Sequence, residues 1–366
     1  MRKLLVVSLA LGAFACGKSK DSGPVTGGTA SASGSAPAPA GGDTVALTGA
    51  GATFPYPLYS KWIAEYEKVD PKVTINYQSI GSGGGIKQIT EKTVDFGASD
   101  APMKDEELAK AGKLLHFPTT LGAVVLAYNL PDVKDQLKLT PDVVAGIYQC
   151  DIKTWNDPKI AAANPGVKLP SDAISVAYRS DGSGTTNVFT SYLSAISPTW
   201  KDKVGAGKSV SFPVGSGAKG NEGVAGLIKT TPGTIGYIEI AYAKQTNQPF
   251  ALVQNKAGKF VAPSADTISA AAAGVKMPDD FRVSIVNADG DNAYPISSFT
   301  YLLVYQDMDD AVKGKAVAQF LWWALHDGQK LAAPLDYAPL PDAVVKMEEA
   351  KLHSLTAKGQ PLLPAS

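Results

Sequence analysis

Residues 178–193 read YRSDGSGTTNVFTSYL, and this stretch decides the fold. The apolar run from Ile174 to Tyr178 enters it as a strand, and apolar residues at helical spacing leave it. Between them lies a turn of glycine, serine and threonine. A strand feeding a helix through a small turn is the repeating unit of α/β architecture. Three earlier stretches have the same character: TGAGATFPYPLYSKW (Thr48 to Trp62), SIGSGGGIKQI (Ser79 to Ile89) and DFGASDAPM (Asp95 to Met103).

Working outward, strand-like and helix-like runs alternate along the chain. Val45 to Leu47 precedes a helical stretch at Pro57 to Lys68, and Val73 to Tyr77 precedes another at Gly85 to Glu91. Leu121 to Asn129, Ile235 to Ile240 and Phe299 to Tyr305 read as buried strands. Asp310 to Leu331 is expected to be one amphipathic helix, carrying Val312, Val317, Phe320, Leu321 and Leu325 at helical spacing. The alternation predicts an α/β fold with mostly parallel sheets, and the length from Thr44 to Ser366 exceeds a usual single domain, so two are expected.

The N-terminal end has a different character. Arg2 and Lys3 followed by the apolar run Leu4 to Phe14 form an export signal over residues 1–15, too short to span a bilayer. Cys16 follows the small residues Ala13 and Ala15, as in a bacterial lipobox, and is the expected lipidation site; cleavage of a plain secretory signal is the alternative. Residues 16–43 are almost wholly Gly, Ser, Ala, Pro and Thr, which cannot bury enough apolar surface to offset ordering entropy. They predict a flexible tether with a reach of roughly 30 Å for about 27 residues. The remaining cysteine, Cys150, has no partner for an internal disulfide and reads as a small, partly buried hydrophobe.

Lys+Arg and Asp+Glu both number 34, so the net charge is zero. That balance argues against nucleic-acid binding, where phosphate neutralisation dominates affinity. It also means that an anionic ligand has to be drawn by local dipoles and placed donors. The four turns supply these. The first amides of a helix lack partners and carry partial positive charge; glycine lets the backbone approach a ligand, and Ser or Thr adds hydroxyl donors. Each turn alone is explained as a capped helix, but four in one neutral chain point to an anion site.

Two charged residues sharpen the ligand. Arg179 follows a strand, one turn from Ser183, Gly184 and Thr185, and can fork onto two oxygens of a tetrahedral anion, with Asp181 holding the guanidinium. A surface ion pair is the plainer reading of the same two residues. Asp100 repels an anion unless that anion brings a proton for the carboxylate to accept. Phosphate at neutral pH carries one and sulfate does not. Equally, Asp100 could cap the helix of the Met103 to Ala111 segment.

The motifs LTGAGATFP, IGSGGGIKQI, VDFGASDAP, RSDGSGTTNVFTSYL and GNEGVAGLIKTTPGTIGYIEIAYAKQ, with LDYAPLPDAVV from Leu335, resemble the periplasmic phosphate-binding proteins of the phosphate-specific ABC transporter. The likeness is collinear from about Ala46 to near the C-terminus. It implies a type II clamshell, two lobes each with a mixed, mostly parallel sheet flanked by helices, closing on desolvated phosphate. Residues 44–119 with 296–366 would make one lobe and 120–295 the other, with hinge crossings near Thr119 and Pro295. Carried over by position, the phosphate contacts are Thr53, Phe54, Ser82, Asp100, Arg179, Ser183, Gly184 and Thr185, with Asp181 orienting Arg179. Gly83 departs from the pattern, since some members have a second serine there. The implied partners are inorganic phosphate and a membrane ABC permease, for a monomer held at the cell envelope by its lipid anchor. No cofactor or metal is indicated.

Other readings compete. Gly215, Gly217 and Gly220 form a G-x-G-x-x-G run after the strand-like Val210 to Val214, with Glu239 placed as a ribose-binding acid would be. A lone fingerprint of this kind is weak, and the run reads better as a loop capped by Asn221. For a phosphatase, His116, His326 and His353 lack metal-ligand spacing, no G-x-S-x-G elbow is present, and Ser183 has no evident base. The closer rival is the same fold with arsenate, sulfate or molybdate as ligand.

Overall fold

The computed structural model describes residues 44–364; the signal segment, Cys16 and the tether expected from the sequence lie outside the described residues. Three strand–helix units come first: β1 (Val45–Gly51) and α1 (Tyr56–Val69), β2 (Val73–Ser79) and α2 (Ser82–Thr90), β3 (Phe96–Ser99) and α3 (Asp105–Ala111). The long strand β4 (Leu114–Tyr128) follows, then β5 (Lys138–Leu139), α4 (Pro141–Tyr148) and α5 (Pro158–Ala163). Next come β6 (Ser175–Arg179), α6 (Gly184–Ile196), α7 (Pro198–Lys203), β7 (Ser216–Ala218), α8 (Gly220–Thr230), β8 (Thr234–Glu239) and α9 (Ile240–Gln245). The chain ends with β9 (Leu252–Gln254), β10 (Phe260–Val261), α10 (Ala265–Ala272), β11 (Ser297–Tyr305), β12 (Asp307–Met308), α11 (Ala311–Leu325), α12 (Asp342–Leu352), β13 (Thr356–Ala357) and β14 (Gln360–Pro361).

Eight strands form one mixed sheet in the order β2-β1-β3-β11-β4-β8-β6-β7. β1 runs parallel to β2 and β3, and β6 runs parallel to β7 and β8, so each half contains the strand–helix–strand units that the sequence predicts. The centre is antiparallel. From Leu114 to Ala123, β4 pairs with β11; from Val124 to Tyr128 it pairs with β8. One unbroken strand therefore carries the chain from one half of the sheet to the other. Burial along nearly all of β4 explains its continuous apolar run, since a strand covered on both faces has no polar face to show. The register slips between Thr300 and Tyr301, which oppose Thr120 and Pro118. The bulge falls where Pro118 has no amide for the ladder, and it leaves Thr119 to bond Tyr59 and the Thr300 carbonyl.

Several local expectations are corrected. Val210 to Val214 forms no strand; the short β7 begins at Ser216 instead. The helix expected from Asp310 to Leu331 ends at Leu325, and Asp327–Leu331 tightens into a 3-10 turn. Asp310 caps that helix, accepting from the amides of Val312 and Lys313. Cys150 is a free, half-buried thiol just after α4, held at φ 65° in the left-handed region that glycine usually fills.

The glycines of α2 and α8 differ in kind. A Cβ on Gly85 would lie 2.5 Å from the Gly51 Cα, 2.6 Å from the Ala98 carbonyl and 2.7 Å from the Ala50 carbonyl, all of them backbone. α2 can thus rest on β1 and β3 only without a side chain there. Around Gly226 in α8 a Cβ meets nothing within 4 Å. Gly85→Ala is expected to cost at least about 2 kcal/mol in urea unfolding, and Gly226→Ala to stabilise by about 0.5–1 kcal/mol.

Candidate functional site

The turns singled out in the sequence meet at the centre of the sheet, where helix starts from both halves face each other. Arg179, the last residue of β6, is buried. Its Nε and Nη2 donate to the two oxygens of Asp181 at 2.7 and 2.6 Å, a forked pair. The plainer reading of a surface ion pair is thereby overturned, because the arginine side chain is only 1% exposed. Asp181 also accepts from the amide of Gly220 at the start of α8. Burial pushes the Asp181 carboxyl up, but the Arg179 hydrogen bonds and charge outweigh it and hold the group below its ordinary value. The pair is nearly neutral, and it leaves Nη1 free to turn to the centre. There Nη1 donates to the hydroxyls of Thr53 at 3.2 Å and Thr185 at 3.4 Å.

Around that guanidinium lie the starts of α1, α2, α6 and α8. Thr53, Phe54, Ser82, Ser183 and Thr185 are all buried. Among the described residues, the amides of Thr53, Phe54, Ser82 and Thr185 find no protein acceptor. Unpaired buried amides are costly, and several together at helix starts beside a guanidinium suit negative charge. Ser183 caps α6 by accepting from the Thr186 amide at 3.0 Å, which leaves its hydroxyl hydrogen to donate. The Phe54 ring packs edge-on against Tyr337, whose hydroxyl donates to the Phe54 carbonyl at 2.7 Å, so Phe54 can serve the site only through its backbone.

Two glycines allow the halves to approach. Gly81 precedes α2 at φ 88°, and a Cβ there would overlap the Asp181 carboxylate. At Gly184 a Cβ would run into the Asp100 carboxylate and the Ser82 hydroxyl. Instead the Gly184 amide donates to Ser82 Oγ at 3.0 Å, and the Gly83 amide to the Gly182 carbonyl at 2.8 Å. The absence of a serine side chain at Gly83 suits this backbone contact.

Asp100 does not cap α3; Lys104 occupies the cap position there. The carboxylate is buried after β3 and accepts from Thr300 Oγ1 at 2.8 Å, with Ser82 Oγ at 3.4 Å from its other oxygen. Burial pushes it up to about 7, against the opposing pull of Thr300, Arg179, Ser82 and its own amide. An acceptor thus sits among donors, at the edge of ionisation near neutral pH.

The structure brings together the anion-site residues expected from the sequence between Thr53 and Thr185, and it adds several that the sequence did not flag. Asn221 Nδ2 donates to Thr53 Oγ1 at 2.7 Å and Thr185 Oγ1 at 3.1 Å, so it does not cap its loop; Lys219 holds that position. Tyr242 donates to the Thr53 carbonyl at 2.5 Å. Glu239, read in the competing dinucleotide hypothesis as a ribose acid, is buried as the cap of α9 and bonded by Tyr337. Burial drives it well above the ordinary carboxylate value. Of the histidines, His116 is buried and accepts from the Met103 amide at 3.0 Å, and burial lowers it to about 4. Among the described residues no group of three His, Cys, Asp or Glu side chains is placed to hold a metal ion, and no helix is long and apolar enough to cross a membrane.

Two sheet halves strung on one long strand, with helix starts converging between them, define the two-lobed fold of periplasmic binding proteins. A family profile described as a PBP superfamily domain matches residues 36–327. The chain is 48% identical over 308 residues to the phosphate-binding protein PstS of Pasteurella multocida, covering 83% of this chain and 89% of that one. It is 41% identical to the phosphate-binding protein PstS of Methanocaldococcus jannaschii, covering 83% and 85%. Among solved structures, a high affinity periplasmic phosphate-binding protein (PfluDING) bound with phosphate aligns with TM-score 0.69 at 22% identity, over 84% of this chain and 93% of that one. The chain belongs to the PBP superfamily and, within it, to the family of phosphate-binding proteins called PstS.

Because the folded Asp100 titrates near 7 and an unfolded aspartate near 3.8, the folded ligand-free protein holds the extra proton between these values. Stability then falls as pH rises from about 4 to about 7 through this group. Asp100→Asn removes the effect. Its thermal melting in the absence of ligand is expected to match the parent at pH 4 and to exceed it at pH 8, by an amount on the order of a few kcal/mol at most.

Proposed function

We propose that the protein captures inorganic phosphate outside the cytoplasmic membrane and delivers it to an ABC importer. The observation that carries the reading is the buried Asp100 carboxylate, held by the Ser82 and Thr300 hydroxyls among the site's donors. Donors alone would accept any oxyanion. A carboxylate among them demands that the ligand bring a hydrogen, and phosphate does so at neutral pH where sulfate does not. The names of the relatives support the same ligand.

In this reading Thr53, Phe54, Ser183, Thr185 and the Ser82 amide donate to phosphate oxygens, Arg179 turns toward them the guanidinium hydrogens that Asp181 does not take, and Asp100 takes the phosphate proton; Gly184 allows the close approach, its amide being engaged by Ser82 Oγ. Asp181 orients Arg179. Residues 44–119 with 296–366 form one lobe and 120–295 the other, and the partner switch of β4 near Ala123 supports a division there. Closure of the lobes removes water from the anion and gives the importer a shape to recognise. Contacts rimming the junction favour the closed form: Lys208 with Glu107, Arg282 with Asp105, and Lys244 with Asp336. The protein works as a monomer, held at the envelope by lipid on Cys16.

Binding without turnover fits the serine. Ser183 Oγ is engaged as a helix cap, and no histidine hydrogen-bonds it. A nucleophile needs a base within hydrogen-bond reach.

Titration calorimetry on the unlipidated protein tests the reading. Phosphate and arsenate, alike in shape and protonation, are expected to bind, with sulfate weaker by at least about a hundredfold. Asp100→Asn should narrow that gap. Tight sulfate binding with no heat from phosphate would overturn the assignment.

A further inference from the structure

A hydroxyl group is an ambiguous neighbour for an anion. Its oxygen has two acceptor sites and one hydrogen, and only the hydrogen stabilises negative charge. Whether a threonine serves an anion therefore depends on what occupies its lone pairs. Thr53 Oγ1 receives Arg179 Nη1 at 3.2 Å, Asn221 Nδ2 at 2.7 Å and the Asn221 amide at 3.3 Å. Thr185 Oγ1 receives Arg179 Nη1 at 3.4 Å and Asn221 Nδ2 at 3.1 Å. With both lone pairs engaged, each hydroxyl hydrogen has to point away from these donors.

The orientation of the Asn221 side chain is fixed by its own bonds. Its Oδ1 accepts from the Glu239 amide at 2.9 Å, which assigns the oxygen to that side and both Nδ2 hydrogens to the threonines. Asn221 is fully buried, so no water competes for those hydrogens. It sits in the first turn of α8, and it joins a threonine that precedes α1 to one in the first turn of α6.

We propose that Asn221 is a positioning residue of the anion site: by donating to Thr53 and Thr185 at once, it commits both hydroxyls to act as donors toward the ligand. This rests on the reading of the site as a phosphate site, and it adds a residue that does not itself touch the anion. Asn221 also joins the proposed lobes, so Thr53 becomes fully committed only once they close. Ser82 differs: its oxygen accepts from the Asp100 and Gly184 amides, but its hydrogen is directed at the Asp100 carboxylate at 3.4 Å, so its amide is the donor left for the anion.

The test is a double-mutant cycle read by calorimetry with inorganic phosphate. Asn221→Ala in the natural protein is expected to weaken phosphate binding by about 10- to 100-fold. In a Thr53→Val, Thr185→Val background, where there is no hydroxyl to orient, the same substitution should change affinity by less than about threefold. Because Asn221→Ala also removes the acceptor of the Glu239 amide, Asn221→Asp is run beside it; it keeps that acceptor and the shape while replacing the donor group. It should weaken phosphate binding at least as much as Asn221→Ala, with a circular-dichroism spectrum matching that of the parent showing that it is folded at the titration temperature. An equal loss from Asn221→Ala in both backgrounds, or no loss in the natural protein, would overturn the proposal while leaving the phosphate site standing. Failure of the natural protein to bind phosphate would instead overturn the site reading on which it rests.

Discussion

Everything at the centre of this molecule depends on keeping one guanidinium charged and out of water. A buried arginine is tolerated only when its donors are matched and its charge is offset. Asp181 does this for one edge of Arg179, and it is itself held by the Gly220 amide. Its Nη1 donates instead to the hydroxyls of Thr53 and Thr185. Because the pair is close to neutral, it does not draw anions indiscriminately, which fits a chain whose charges balance overall. In the proposed reading the pull on a ligand comes instead from dipoles aimed by helix starts, which act strongly where water is excluded.

The fold exists to bring those helix starts together. Parallel strand–helix units leave their loops at one end of each sheet half, and β4 aligns the two halves by passing through both. The final approach is a matter of missing atoms. Gly81 and Gly184 stand where any side chain would strike Asp181, Asp100 or Ser82. The small, hydroxyl-rich turns are therefore as much a condition of close contact as a source of donors. The bulge opposite Thr300 has a related role, since Thr300 carries the hydrogen bond that aims Asp100.

Much of this was legible in the sequence because its parts are local. A strand end, a glycine turn and a capped helix lie within sixteen residues from Tyr178 to Leu193, and Arg179 with Asp181 is a two-residue motif. The ambiguity of Asp100 was also visible, and only tertiary structure resolves it, because Thr300 reaches it from 200 residues away in the chain. Asn221 was hidden for the same reason. Read locally it is a loop cap, and its bonds to Thr53 span 168 residues. Val210 to Val214 misled because short apolar runs carry no information on whether a neighbouring strand is free to pair with them. The overlong helix after Asp310 misled because apolar spacing continues through a 3-10 turn that the same core covers.

The most direct measurement of the central claim is a crystal structure grown with phosphate. The account predicts a tetrahedral anion within hydrogen-bond distance of Arg179, Ser183, Thr185 and the amides at Thr53, Phe54 and Ser82, with one of its oxygens against the Asp100 carboxylate. An anion lodged elsewhere, or Asp100 and Arg179 turned away from a shared space, would contradict it.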